Sequence, residues 1–274
     1  MSIGLRTNTL AIRAANQQNA AHSGLSRALD HVATGQRITR AADDAAGSAI
    51  SIELSAQIHS NQQAIRNAND GISMSHISQA SVNTARDLLD RARELAVQSA
   101  SDTMGDDERS MIDDEWRTIL DEMKRLASVT EFNGQTVSNG EEYDVQVGTE
   151  NTSNDRITLS MGSVRAVVIA VGAIDLSTDS ATSQNAIKSI DKGIDVANSQ
   201  LATLGAQENR LMSSIRYATT HGESLSQSKS RITDADMASS TTQMTAFQIK
   251  SQASASALSQ AGQLSSGVIG LISS

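Results

Sequence analysis

Apolar residues recur at steps of three and four along most of the 274-residue chain, which is the spacing of one face of an α-helix. The pattern predicts a first helix over about residues 5–32, a long helix over about 45–100 and a third over about 106–128. Within the second, the polar stretch 67–71 has weak helix propensity and is a candidate break.

A seven-residue repeat holds from Ile187 to Ile232 and predicts a long helix that packs lengthwise against other helices. One core position of the repeat is apolar throughout, whereas the other is occupied by Glu208, Gly222 and Lys229 in place of apolar side chains. The apolar residues of this predicted seam are Ile187, Ile190, Ile194, Leu201, Leu204, Leu211, Ile215, Ala197, Ala218, Leu225 and Ile232.

Strand-like alternation replaces the helical pattern between about residues 132 and 176. Residues 143–147 and 156–160 alternate apolar and polar side chains, and 166–171 is a short β-branched run. Glycine and asparagine lie between these runs, as is typical of turns. We therefore expect a small region of β-hairpins that includes 166–171.

Both ends of the chain carry an apolar helical stripe, the second in a helix predicted over about 237–274. Apolar stripes near chain ends need a partner, so we expect the two to pack on one another and on neighbouring copies. Ser254 falls on the C-terminal stripe and weakens it. The candidate assembly residues are Leu10, Ala14, Ala21, Leu25, Val32, Phe247, Ala257, Ala261, Leu264, Val268 and Leu271.

Composition narrows the class of protein. Only 2% of the residues are aromatic, so small aliphatic side chains must fill the core, which suits closely spaced helices. The absence of proline fits long helices, and the absence of cysteine excludes disulfides and thiolate metal sites. The net charge of −9 with scattered Lys and Arg argues against nucleic-acid binding, and no apolar run is long enough to span a membrane.

No pattern of catalytic or cofactor-binding residues stands out. The five histidines have no metal-ligand spacing, and neither a phosphate-binding glycine loop nor a nucleophile elbow is present. Asp43 and Asp44 are interpreted as helix-capping or ion-pairing residues, and Asp113–Asp114–Glu115 as a solvated helix face. We expect no enzyme, no cofactor and no metal site.

Segments from both halves of the chain, in order, resemble the bacterial flagellin family. They cover nearly the whole chain, and the combination is specific. The matching segments are RTNT at 6–9, TGQRI at 34–38, AADDAAG at 41–47, RNANDGIS at 66–73, RARELAVQSA at 91–100, EFNG at 131–134, LGAQENRL at 204–211 and SRITDAD at 230–236.

The resemblance implies a mainly α fold: a long antiparallel helical bundle or coiled coil with a small β-hairpin region. In the family this architecture comprises an inner layer, D0, and a surrounding layer, D1, and this chain looks too short for the outer domains of larger members. The implied divisions are 1–38 (N-terminal D0 helix), 39–131 (N-terminal D1 helices), 132–176 (D1 β-hairpins), 177–233 (C-terminal D1 helix) and 234–274 (C-terminal D0 helix).

The resemblance also implies a function and partners. The chain is expected to leave the cell unfolded by type III export and to polymerise with itself into an extracellular filament for swimming, or less commonly a periplasmic one. Implied partners are an export chaperone at the C-terminal helix and the filament cap and junction proteins. An animal Toll-like receptor is a further implied partner, with matching positions at Arg91, Leu95 and Glu115.

Two alternatives remain at this stage. A hook–filament junction protein shares the terminal architecture, although the RELAVQ and NR motifs favour a filament subunit. A cytosolic helical adaptor would share the coiled-coil seam, but it would need neither the apolar terminal stripes nor the β insert.

Overall fold

The computed structural model describes the backbone of residues 7–272 and the side chains of residues 7–263. Over that range the chain is mainly α, with two small antiparallel strand pairs, which confirms the predicted fold class. The elements are α1 (Thr9–Thr34), α2 (Ala45–Ser99), α3 (Asp106–Val129), β1 (Glu131–Phe132), β2 (Gln135–Thr136), β3 (Glu142–Gln146), β4 (Arg156–Ser160), α4 (Val164–Val171), α5 (Ser180–Thr233) and α6 (Met237–Ile272).

The chain divides into two units. Unit 1 comprises residues 1–56 and 224–274, and unit 2 is the continuous segment 57–223. Helices α2 and α5 each contribute one end to unit 1 and the rest to unit 2.

Unit 2 has two apolar clusters along α2 and α5. In the first, residues from the second half of α2 and from the start of α5 pack with residues of α3 and α4 around Trp116, which is almost completely buried. The second lies beneath the β3–β4 hairpin, whose antiparallel register pairs Val145 with Ile157 and Tyr143 with Leu159. The strand pairs therefore cover a helical core rather than forming a sheet domain of their own.

Helix α2 runs without interruption through the polar stretch 67–71. Gly71 in this stretch is buried, and a Cβ at that position would lie 3.2 Å from side-chain carbons of Val145 and Leu159. The β3–β4 hairpin thus approaches the backbone of α2 closely, and this tertiary packing offsets the weak helix propensity.

Residues 164–171 form helix α4, so the strand predicted at 166–171 is wrong. The Ser163 hydroxyl caps the helix by accepting a hydrogen bond from the Ala166 N–H at 3.0 Å, and Gly172 ends it with a φ of 72°. The helix buries a stripe at helical spacing formed by Val164, Val167 and Val171. Capping and this stripe outweigh the strand preference of β-branched residues.

Asp113 is buried, so the solvated face predicted for residues 113–115 is wrong at this position. Its Oδ1 accepts a hydrogen bond from the Leu176 N–H at 3.0 Å, and its Oδ2 accepts one from Arg117 Nε at 2.6 Å. Asp114 and Glu115 are exposed, as expected. The Asp113 carboxylate therefore ties α3 to the segment that precedes α5.

Candidate assembly surfaces

Helices α1 and α6 pack antiparallel in unit 1 along a seam of small residues. On α6 the inward positions recur every seven residues, and on α1 they recur at steps of three and four. These positions are Ser240, Phe247, Ser254 and Ala261 on α6, and Ala21, Gly24 and Ala28 on α1. Small side chains allow the two backbones to come close, and Phe247 provides the largest apolar surface of the α6 set.

Polar contacts fix the register of this pair. The Asn8 amide Nδ2 donates to the Ala261 carbonyl at 2.9 Å, while its Oδ1 caps α1 by accepting from the Ala11 N–H. At the other end of α1, Gly35 adopts a left-handed conformation with a φ of 68° and accepts a hydrogen bond from the Ala235 N–H at 2.9 Å. The pair is therefore held at both ends as well as along the seam.

The loop that follows α1 contains the two adjacent carboxylates singled out in the sequence. Asp44 Oδ1 accepts from the Gly47 N–H at 2.9 Å, and Asp43 Oδ2 accepts from the backbone N–H groups of Thr39 and Arg40. These hydrogen bonds lower the pKa of Asp43, the one from Arg40 most. Asp44 therefore caps the start of α2, which confirms the capping interpretation for this residue, whereas Asp43 stabilises the loop before the helix.

The predicted stripe residues occupy several environments. Ala21 and Ala261 are buried, Ala14, Leu25, Val32 and Phe247 are half-buried, and Leu10 and Ala257 are exposed within one copy of the chain. Leu264, Val268 and Leu271 lie outside the residues whose side chains are described. Gly24 was not predicted as a seam residue, and Ser254 was predicted to weaken the seam, yet both are buried in it. The seven-residue step from Phe247 to Ser254 is the sequence feature that indicates a core position for Ser254.

Large apolar side chains also remain exposed on the outer surfaces of unit 1. Their exposed fractions are between 45% and 68%, so the α1–α6 pairing does not cover them. They are Leu10, Ile12 and Leu29 on α1, Ile50 and Ile52 on α2, and Met237 and Ile249 on α6.

Contacts in unit 2 explain two of the three residues that interrupt the apolar repeat of α5, Glu208 and Gly222. Glu208 accepts hydrogen bonds from His76 at 3.0 Å and from Gln79 at 3.3 Å, and these bonds, that of His76 first, lower the pKa of Glu208. Gly222 leaves space for the buried Asn61 amide, since a Cβ there would lie 2.8 Å from Asn61 Nδ2.

The wholly apolar row of the seam is buried from Ile190 to Ala218 and half-buried at its end, at Leu225 and Ile232, whereas the apolar residues of the other row are half-buried throughout. Ile190, Ala197, Leu204, Leu211 and Ala218 are buried, and Ile187, Ile194, Leu201, Ile215, Leu225 and Ile232 are half-buried.

The three positions matched to receptor recognition divide into an exposed pair and a core residue. Arg91 donates to Glu115 at 2.7 Å and to Glu94 at 2.9 Å, and the hydrogen bond with Glu115 is the main cause of its raised pKa. Leu95 is only 2% exposed and packs in the core with Trp116. Leu95 therefore does not share the exposed face of Arg91.

Two further features, a metal-ligand cluster and a membrane-spanning helix, are absent from the described part of the chain. Among those residues no group of three or more His, Cys, Asp or Glu is arranged to hold a metal ion. None of their helices combines the length and apolarity needed to cross a membrane. The paired terminal helices, the lengthwise seam and the uncovered apolar side chains are those of a self-assembling helical structural protein.

Comparisons with known proteins identify the family. Residues 5–142 match the bacterial flagellin N-terminal helical region, and residues 187–272 match the bacterial flagellin C-terminal helical region. The chain is 35% identical over 248 residues to flagellin of Halalkalibacterium halodurans, covering 90% of this chain and 91% of that protein. It is 29% identical to flagellin A of Vibrio cholerae, covering 99% and 100% respectively.

Two solved structures are similar to the structure of this chain. The crystal structure of Bacillus cereus flagellin has a TM-score of 0.50 at 27% identity and covers 56% of this chain and 88% of that one. A putative flagellar hook-associated protein from Vibrio parahaemolyticus has a TM-score of 0.60 at 12% identity and covers 70% and 100%. At that identity the second likeness is one of fold alone.

The chain belongs to the bacterial flagellin family. It is a structural subunit that polymerises into the bacterial flagellar filament, and its length fits a flagellin with D0 and D1 alone. The junction-protein and adaptor alternatives are not favoured.

Proposed function

We propose that the paired helices α1 and α6 are the surface through which copies of this chain join the filament. The observation that carries the proposal is the combination of a closely packed α1–α6 seam with large apolar side chains left exposed around it, Ile12, Leu29 and Ile249 among them. Exposed apolar area of this kind is covered when neighbouring copies pack against it. The predicted stripe residues buried in the seam, such as Ala21 and Ala261, hold the pair together, and those left exposed, such as Leu10 and Ala257, are the proposed contacts between copies.

Seeded polymerisation of the purified monomer, watched by electron microscopy, tests this proposal. Full-length protein is compared with a truncation that keeps residues 39–233 and therefore retains all of unit 2. We expect filaments from the full-length protein and a soluble, helical monomer from the truncation, with circular dichroism as the control for folding. A truncation that still elongates seeds contradicts a role for α1 and α6, and full-length protein that never polymerises contradicts the filament function.

We further propose that the chain is exported unfolded and assembles outside the cell. A chain without cysteine needs no oxidative step after export, and terminal helices that order only on packing couple folding to assembly. The proposed partners on this route are an export chaperone at α6, the filament cap and the junction proteins. Fractionation of cells with and without the flagellar export apparatus tests the route; protein in the medium without the apparatus would contradict it.

The exposed Arg91–Glu115 pair is the proposed contact for an animal Toll-like receptor, with buried Leu95 supporting the helix from below. Depolymerised Arg91→Ala protein is expected to lose most of its signal in a receptor reporter assay. Arg93→Ala is the matched control, because Arg93 is an exposed α2 arginine paired with a different carboxylate, Asp191. Equal signals from the two variants contradict this contact.

A further inference from the structure

Tyr217 on α5 is an aromatic residue whose side chain is largely exposed. It is 71% exposed, whereas Trp116 is buried and Tyr143, Phe132 and Phe247 are half-buried. Its ring stacks on His221 with centroids 5.7 Å apart and an interplanar angle of 7°. The two rings therefore present an ordered aromatic surface to the outside of unit 2.

The surface around Tyr217 also carries the positive charge of an exposed arginine. Arg210 lies two turns earlier on the same face, and in the described part of the chain it forms no ion pair. Exposed residues at steps of three and four from Tyr217 are otherwise small. We define the Tyr217 face as Thr203, Ala206, Arg210, Ser213, Tyr217 and His221.

A complementary surface lies on α3 of the same unit. Met111 is 65% exposed, and Asp107 and Asp114 stand four residues before and three after it on the same side of the helix. Neither carboxylate belongs to an ion pair among the described residues. We define these three residues with Thr118 as the Met111 face; it offers a thioether for an aromatic ring and carboxylates for an arginine.

We propose that the Tyr217 face of one copy binds the Met111 face of the next copy in the filament. The inference rests on the proposed function, because it requires copies of the chain to stack. Charge complementarity favours a second copy as the occupant: Arg210 faces outward from one surface, and Asp107 and Asp114 face outward from the other. Because the two faces differ, the contact is heterologous and can repeat without closing.

The two faces lie near opposite ends of unit 2. Asn61 donates to the Ala218 carbonyl at 2.5 Å, which places Tyr217 beside the start of the α2 segment in this unit. Arg109 donates to the Ser99 carbonyl, which places Met111 beside the end of α2. At about 1.5 Å of rise per residue, α2 extends about 57 Å from Asn61 to Ser99, so the two faces lie roughly that far apart along unit 2.

Cysteine cross-linking tests the contact directly, because the natural chain contains no cysteine. Met111→Cys and Ser213→Cys proteins are copolymerised on seeds and treated with a short bismaleimide. We expect covalent dimers from the mixture and none from either variant alone. The control partner is Asn198→Cys, an exposed residue on another side of α5. Filaments of the mixture that give no dimers, or as many with the control, overturn the proposal.

Charge reversal provides a second test that separates this contact from polymerisation itself. Arg210→Glu and Asp114→Arg are each expected to raise the critical concentration roughly tenfold, as loss of a central contact does. An equimolar mixture of the two is expected to recover nearly the wild-type value, because each new charge meets its opposite across the contact. Lys188→Glu, an exposed change of the same size on α5, is the control.

The outcomes distinguish the two proposals. Wild-type filaments together with an unaffected Arg210→Glu variant, or with no recovery in the mixture, overturn the Tyr217–Met111 contact alone. Failure of the wild-type chain to form any filament under the same conditions overturns the proposed function, and the contact falls with it.

Discussion

The Cα of Gly24 in α1 faces the ring of Phe247 in α6, with no space between them for a side-chain carbon. A Cβ built on Gly24 would overlap the ring, so glycine at this position sets how closely the two terminal helices approach. The geometry matters for assembly because both residues hold together the two helices whose outer surfaces we propose as the joining surface.

Gly24→Ala is expected to weaken the α1–α6 pair. The added methyl must displace the Phe247 ring, and overpacking of this kind typically costs about 1–3 kcal/mol. We expect a higher critical concentration for polymerisation and a lower temperature of filament disassembly, followed by light scattering.

Gly262→Ala is the matched control in the same unit. A Cβ on Gly262 meets nothing within 4 Å, and alanine favours a helix over glycine by roughly 0.5–1 kcal/mol. This variant should assemble as well as the wild type or better. If the two alanine variants behave alike, the close contact with Phe247 does not limit assembly.

Asp113→Ala is expected to destabilise unit 2. The change leaves the Leu176 N–H without its acceptor in a buried position, which costs about 1–3 kcal/mol. Urea unfolding of the monomer measures the loss of free energy of unfolding. The control is Asp114→Ala, since Asp114 is exposed and its carboxylate belongs to no ion pair in the described chain; equal losses would argue against the Asp113–Leu176 hydrogen bond as the cause.

The sequence allowed the long helices to be predicted because their signals repeat over many turns. The α5 seam is the clearest case: its apolar row, from Ile190 to Ala218, is buried as a seven-residue repeat requires. Short elements were harder, because β-branched residues at 166–171 suit a strand and a buried helix stripe equally well. The residues that distinguish the two are Ser163 and Gly172, which cap the start and the end of helix α4.

Polar residues at core positions could not be interpreted from the sequence because their partners are distant in it. Glu208 and Gly222 looked like failures of the α5 repeat, yet His76 and Asn61 on α2 account for them. The burial of Asp113 could not be predicted for the same reason, since the backbone N–H that binds its carboxylate belongs to Leu176, far away in the sequence. Periodicity places a residue on a face of its own helix but does not reveal what the neighbouring element offers it.

Ser163→Ala is expected to weaken α4. The variant removes the hydroxyl that accepts from the Ala166 N–H, and loss of such a cap typically costs about 0.5–2 kcal/mol. Hydrogen exchange of the α4 amides should accelerate more than that of α2. Ser160→Ala, a nearby strand residue whose hydroxyl donates to Glu142, serves as the control; unchanged exchange in α4 would contradict a capping role.

The hydrogen bonds from His76 and Gln79 to Glu208 predict a specific dependence of stability on pH. They lower the pKa of Glu208 below its ordinary value of 4.5. A carboxylate with a lowered folded-state pKa stabilises the fold fully above the unfolded-state pKa, and the contribution is lost as the pH falls through the lowered value. We therefore expect the wild-type monomer to exceed Glu208→Gln in free energy of unfolding at neutral pH, with the difference shrinking below about pH 4.5.

Urea unfolding of both monomers between neutral and about pH 3 measures this difference, since the other titrating groups are common to the two proteins. Glu131→Gln, which removes the same charge from an exposed residue of β1, controls for net charge. His76→Gln should reduce the pH dependence in part, because His76 supplies the largest contribution to the lowered pKa of Glu208. A difference between wild type and Glu208→Gln that stays constant as the pH falls would show that the Glu208 carboxylate does not stabilise the fold through its charge.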